Sequence, residues 1–229
     1  AVAATQAGTV SPVLVARIQR RLAVVDPAVG RLARVQALRL ELTDDVLAAA
    51  TGLTVAELAA HQRELRDAGL LVPGGESLVP AVAEAILAEL PSAERRRTHD
   101  AVASALIAGG ADPLVAAGQL RAAGARTVVA GQLYRAAGAK VRFTDPEAAL
   151  AWFDDAVDAG ADPAELLADR AEATALAGLR VELDGPACSG ADVARLALVA
   201  GAMAAHDGRA DRASQELLDA GPPGPLLAV

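Results

Sequence analysis

Cysteine, lysine and aromatic residues are almost missing from this chain of 229 residues. The single cysteine, Cys188, excludes an intrachain disulfide, and no Cys/His group has the spacing of a metal site. The three histidines, His61, His99 and His206, lie far apart and share no motif. No Ser/His/Asp or Cys/His constellation stands out, so the sequence predicts a non-enzyme with no cofactor and no metal. Low cysteine use fits a reducing, cytoplasmic setting. The longest uncharged run, Ala1 to Ala16, contains Thr, Gln, Gly, Ser and Pro and has no basic leader, so it fits neither a signal peptide nor a bilayer span. No membrane partner is therefore expected. β-branched and aromatic residues are too scarce for an all-β fold.

What is present is alanine and charge in blocks. Apolar residues make up 53% of the chain, enough for a sizeable core, and the abundance of alanine favours close-packed helices. The net charge is −8. Residues 11–40 carry six arginines and one acid, Asp26; residues 41–91 carry nine acids and two arginines. Residues 92–143 carry eight basic residues and three acids, and residues 144–229 carry sixteen acids and five arginines. Such blocks are either solvated helix faces or surfaces that attract a neighbour of opposite sign.

Helix signals run the length of the chain. Ser11-Pro12 and Asp26-Pro27 each pair a capping residue with proline at the first helical position. Thr43 caps a short helix ending at Thr51-Gly52, and Thr54 with Glu57 forms a capping box. Val55, Leu58, Gln62 and Leu65 fall on one face of the helix that follows. Leu70-Leu71-Val72 and Leu78-Val79 flank Pro73-Gly74-Gly75-Glu76, the pattern of a short hairpin. Beyond Pro80 the spacing predicts helices near 80–90, 92–108, 112–123, 125–142, 145–159, 162–178, 191–206 and 209–220. The string GADP opens a helix twice, at 110–113 and 160–163. Units beginning at Ala125 and Asp162 are spaced close to the tetratricopeptide period of about 34 residues, and the small residues Ala136, Gly138 and Ala148 suit close antiparallel packing. The stretch Leu179–Gly190 has no clean second helix.

The expected fold class is mainly α: a winged helix-turn-helix followed by an α-solenoid of tetratricopeptide-like helical hairpins. The expected domains are a linker or disordered segment at 1–10, a winged-helix domain at 11–90, a helical-repeat domain at 91–220 and a tail at 221–229.

The order of helix-turn-helix, AGLLV, hairpin, then LPSAERRRTHDAVASALIAGGADPLVAAGQLRAAG over Leu90 to Gly124 resembles the central region of large bacterial transcriptional regulators of the LuxR/MalT-like type. These belong to the signal-transduction ATPases with numerous domains. The likeness runs from about Asp26 to Ala220. In that family an ATP-binding domain precedes the winged helix and an output DNA-binding domain often follows the repeats. This chain has neither: the G-x-x-x-x-G-K-[ST] string is absent, and Lys140 follows Ala139. The resemblance therefore implies a regulatory or sensor arm that relays effector or partner binding to ATPase and output domains outside this chain. The alternatives are a stand-alone helical-repeat scaffold for protein interaction and a direct winged-helix DNA binder.

Charge argues against DNA binding. Duplex affinity is dominated by phosphate neutralisation, and Thr54–Ala68 carries Glu57, Glu64 and Asp67 against Arg63 and Arg66. Docking candidates for another domain or a partner are Arg17, Arg20 and Arg21, which share a helix face, and Arg95, Arg96 and Arg97. A solvated face is the alternative for each set. All four aromatic residues, Tyr134, Phe143, Trp152 and Phe153, fall within one stretch of two predicted helices. With Arg135, Arg142 and Asp155 they form a candidate site for a small effector such as a carbohydrate. The alternative is that these rings are the core of one repeat. His99 aligns with Val102, Ala103 and Leu106 and reads as a half-buried core histidine.

Overall fold

Proline stands in the first turn of six of the eleven helices described in the computed structural model. There its missing N–H costs nothing and its fixed φ suits the helix. The structure describes residues 11–181, 190–206 and 208. The expected linker 1–10, the expected helix 209–220, the tail 221–229, Cys188 and most of the 179–190 stretch lie outside these residues.

The helices are α1 (Pro12–Leu22), α2 (Pro27–Ala37), α3 (Asp44–Thr51), α4 (Val55–Asp67), α5 (Pro80–Glu89), α6 (Ser92–Ala108), α7 (Pro113–Ala123), α8 (Val128–Val141), α9 (Pro146–Asp158), α10 (Pro163–Leu176) and α11 (Gly190–His206). Asp26, Asp112, Asp145 and Asp162 each accept a hydrogen bond from a backbone N–H of the helix they precede. Ser11 occupies its cap position without a side-chain bond. No helix among the described residues is long and apolar enough to cross a membrane. The molecule is thus mainly helical, and among the described residues the only extended pairing is one antiparallel bridge, Leu71 with Leu78.

The chain divides into two units, residues 1–124 and 125–229. In the first, α2 packs on α4, α3 and α5, with α1 also against α5. Val29, Leu32, Leu58, Leu65 and Leu70 are essentially inaccessible to solvent and join one core. The hairpin after α4 is held by Val72 N–H to Ser77 O (2.8 Å) and Val79 N–H to Leu70 O (3.0 Å). Helices α6 and α7 pair with each other, and α6 lies against α3. Val102 and Leu106 of α6 and Ala116 of α7 belong to the same core as Leu32. The division therefore falls after Gly124, whereas the sequence placed a boundary after residue 90. A local pattern shows where α6 and α7 begin, but their grouping depends on side chains from α2 and α3.

In the second unit, α8 pairs with α9, α9 with α10, and α10 with α11. The α8–α9 approach depends on glycine. A Cβ at Gly138 would lie 2.6 Å from Phe153 Cε1, and one at Gly131 would meet Ala159 Cβ at 3.4 Å. The small residues expected to set this packing were Ala136, Gly138 and Ala148. Gly138 does so, but the buried alanines of the two helices are Ala130, Ala137, Ala149 and Ala156.

Candidate functional site

The exposed surface of α3, α4 and the hairpin is acidic. Asp44, Asp45, Glu57, Glu64, Asp67 and Glu76 are all exposed there, against Arg63 and Arg66. The capping box at the start of α4 is formed: Thr54 N–H donates to Glu57 Oε2 at 2.8 Å, and Glu57 N–H donates to Thr54 Oγ1 at 3.3 Å. The Thr54 backbone N–H, then its hydroxyl, hold the Glu57 carboxyl below its ordinary pKa. His61 lies 3.1 Å from Glu64 on the same helix. Leu58, Gln62 and Leu65 are buried as their spacing requires, while Val55, in the first turn, is half exposed.

The arginine candidates separate into two groups. Arg21 donates to the carbonyl of Ala68 at the end of α4 (2.5 Å), and Arg95 to that of Leu87 in α5 (2.5 Å). Arg31, outside the candidate set, does the same for Thr51 at the end of α3 (3.3 Å). Carbonyls in a last helical turn lack intrahelical partners and carry the negative end of the helix dipole, so a guanidinium there is an internal fastening. Arg34 pairs with Glu94 at 2.9 Å. Arg21 is half-buried, whereas Arg17, Arg20, Arg95, Arg96 and Arg97 are exposed; of these five, Arg20 donates to Ala16 O at 3.3 Å in its own helix and Arg95 makes the bond to Leu87. His99 Nδ1 lies 2.8 Å from Gln119 Oε1, which ties α6 to α7.

The aromatic residues are split by the fold. Tyr134 and Phe153 are 0% exposed and Trp152 is 8% exposed. Tyr134 and Trp152 stack with centroids 5.8 Å apart, and the Tyr134 hydroxyl donates to Ala125 O at 3.1 Å. These three rings fill the α8–α9 interface and present no open face to a ligand. Phe143 is 66% exposed, with the Arg142 guanidinium 4.6 Å from its ring centre. The polar members of the expected site are engaged within the second unit. Arg135 pairs with Glu165 at 2.8 Å, and Asp155 lies 3.5 Å from Arg126.

Arg142 belongs to a network the sequence did not reveal. It reaches Asp169 at 2.9 Å, and its Nε lies 3.2 Å from Glu172 without hydrogen-bond alignment. From α11, Arg195 reaches the same two acids at 2.6 and 2.7 Å. These bonds, Glu172 first, raise the Arg195 pKa above its already high ordinary value. Three helices are thus joined through two carboxylates, of which Asp169 is 7% exposed. The signal available in the sequence was the i, i+4, i+7 spacing of Glu165, Asp169 and Glu172, one face of a helix.

Also unforeseen was a cavity of about 440 Å³ in the first unit, where the end of α2, the 38–43 connection, α3, α4 and the hairpin meet. Gln36, Arg39 and Gln62 line it. The sequence placed Gln62 in an otherwise apolar stripe, and that mismatch was the sign of a polar group turned inward.

Compared with known proteins, the chain matches no family model, no curated protein and no solved structure.

Proposed function

We propose that this chain is a regulatory module rather than an enzyme: the winged-helix and tetratricopeptide-like portion of an ATP-dependent transcription regulator of the LuxR/MalT-like type. In this reading it connects an ATPase domain and an output domain. The observation that carries it is the sign of charge. The helix and hairpin that would grip DNA in a direct binder expose six acids and two arginines, and such a surface repels a polyanion. The helix-turn-helix then serves as a packing element, and Arg17, Arg20, Arg96 and Arg97 are the docking surface for an acidic neighbour. Because Tyr134, Trp152 and Phe153 are packed inside the α8–α9 pair, an effector is not assigned to them.

A relay of this kind requires a partner that binds one arrangement of the regulator more tightly than another. The test is the full reading frame that contains this chain. A G-x-x-x-x-G-K-[ST] motif upstream of residue 1 is the expected result. A complete frame without one overturns the regulator reading and leaves the interaction scaffold.

A further inference from the structure

Arg142 and Arg195 reach for the same oxygen. Asp169 Oδ1 accepts from Arg142 Nη1 at 2.9 Å and from Arg195 Nη2 at 2.6 Å. Glu172 is shared less evenly. Arg195 takes both of its oxygens, with Nε donating to Oε1 at 2.7 Å and Nη2 to Oε2 at 2.8 Å. Arg142 Nε lies 3.2 Å from that same Oε2, yet it is buried without a hydrogen bond. Two guanidiniums on one pair of carboxylates repel each other, so each weakens the hold of the other. Arg142 stands at the end of α8, whereas Arg195 belongs to α11.

Apart from Arg195, the attachment of α11 is modest. Its main neighbour is α10. Among its described side chains Val199 and Ala204 are buried, Leu196 and Met203 are half-buried, and Val193 and Leu198 are exposed. The α8–α9 pair, by contrast, fully encloses Tyr134 and Phe153. The three hydrogen bonds from Arg195 to α10 are therefore a large part of what holds α11. Breaking a buried ion pair is ordinarily costly because it strands a charge. Here it strands none. Arg142 stays beside both acids, and Arg195 keeps Asp192 on its own helix, 3.4 Å away.

We propose that α11 is a releasable helix, latched to α10 through Arg195, and that Arg142 is the resident counter-charge that takes over Asp169 and Glu172 when α11 lifts off. In the released state the Glu172 carboxylate turns to Arg142 Nε, which the docked state leaves without a bond. The two states differ in which guanidinium holds the acids, and a partner that binds one state better shifts the balance. The latch lies within the second unit and does not depend on the regulator reading.

Hydrogen–deuterium exchange of the whole chain tests this, comparing peptides from 192–206 with peptides from α8 and α9. A helix of 17 residues without packing is marginal in water, so its amides exchange once it is released. The α11 peptides should exchange while α8 and α9 are still protected. Raising sodium chloride from about 0.05 M to about 0.5 M should speed α11 exchange, because salt screens partly exposed ion pairs. Arg195→Met should speed it roughly 5–30-fold. Arg142→Met should slow it, because the released acids lose the guanidinium that takes them over while the docked acids keep Arg195. Arg142→Gln, which drops the charge but keeps a hydrogen-bonding side chain, should act in the same direction. Unchanged or faster α11 exchange in both Arg142 variants overturns the proposal, as does lost protection of α8 and α9 in both, since the two arginines would then form one fixed clamp. Exchange of α11 in step with α8 and α9 also overturns it. So does an α11 rate that neither salt nor Arg195→Met alters, which would mark simple fraying.

Discussion

Gly138 and Gly118 both lie within helices and both lack a side chain, yet their surroundings differ. A Cβ at Gly138 would stand 2.6 Å from one carbon of the Phe153 ring and 2.8 Å from another, whereas one at Gly118 would meet nothing within 4 Å. Phe153 is 0% exposed and cannot swing away into solvent. The gain in helix propensity on replacing glycine with alanine, about 1 kcal/mol, is the same in both places. Overpacking, at about 1–3 kcal/mol, enters only at 138. Gly138→Ala is expected to lose up to about 2 kcal/mol net, towards the upper end because the clash is with a buried ring, and Gly118→Ala to gain about 0.5–1 kcal/mol. Urea unfolding followed by Trp152 fluorescence checks the first, since Trp152 shares that interface. Calorimetry checks the second. Gly138 was legible in the sequence as a small residue suited to close packing. That Phe153 rather than another residue presses on it was not, because the partner comes from the next helix and only the fold sets its register.

Among the elements, helix starts were the most legible feature. Asp-Pro pairs and the Thr54–Glu57 box are local codes: the capping side chain and the N–H it serves lie within three residues of each other. Thr54→Ala should cost about 1 kcal/mol. It should also flatten the acid limb of the stability curve in part, because the hydroxyl is lost while the backbone N–H, the larger cause, stays. Glu57 has a folded pKa below its unfolded one, so its contribution is complete above the unfolded value and is lost as pH falls through the lower folded value. Thermal melts of the two proteins across the acidic range measure this; parallel curves would contradict it. Less legible were the ends of helices in the first unit. Arg21 and Arg31 fasten carbonyls on helices distant in sequence, and Arg95 one on the helix just before its own, so part of the arginine-rich blocks is engaged within the protein. In the second unit, Arg195→Met should leave Asp169 and Glu172 with Arg142 as the guanidinium still beside them. Arg195 is itself 30% exposed, so solvent screens part of the loss. A cost of about 1–2 kcal/mol by urea unfolding is expected, below the 3–5 kcal/mol of a fully buried pair.

For the whole molecule, the net charge of −8 and the acidic face of α3, α4 and the hairpin set the expected behaviour towards nucleic acid. In a mobility-shift titration at low salt the protein should leave a duplex unshifted. A shift that weakens steeply with added salt would show phosphate contacts and contradict the reading. Composition made the mainly helical class legible, because alanine, periodic spacing and proline-opened turns all agree. The candidate effector site was not legible, since clustering of Tyr134, Trp152 and Phe153 along the chain is equally consistent with one packed interface, and that is where they lie. The acids of α10 carry a further consequence for how this chain can change over time. Glu165, Asp169 and Glu172 hold Arg135, Arg142 and Arg195 only because they share one face of the helix. One added or deleted residue early in α10 would rotate all three by about 100° and strand every guanidinium together. Length variation among natural variants should therefore collect in the turns at 142–145 and 159–162, and α10 should keep its residue count even where its letters drift.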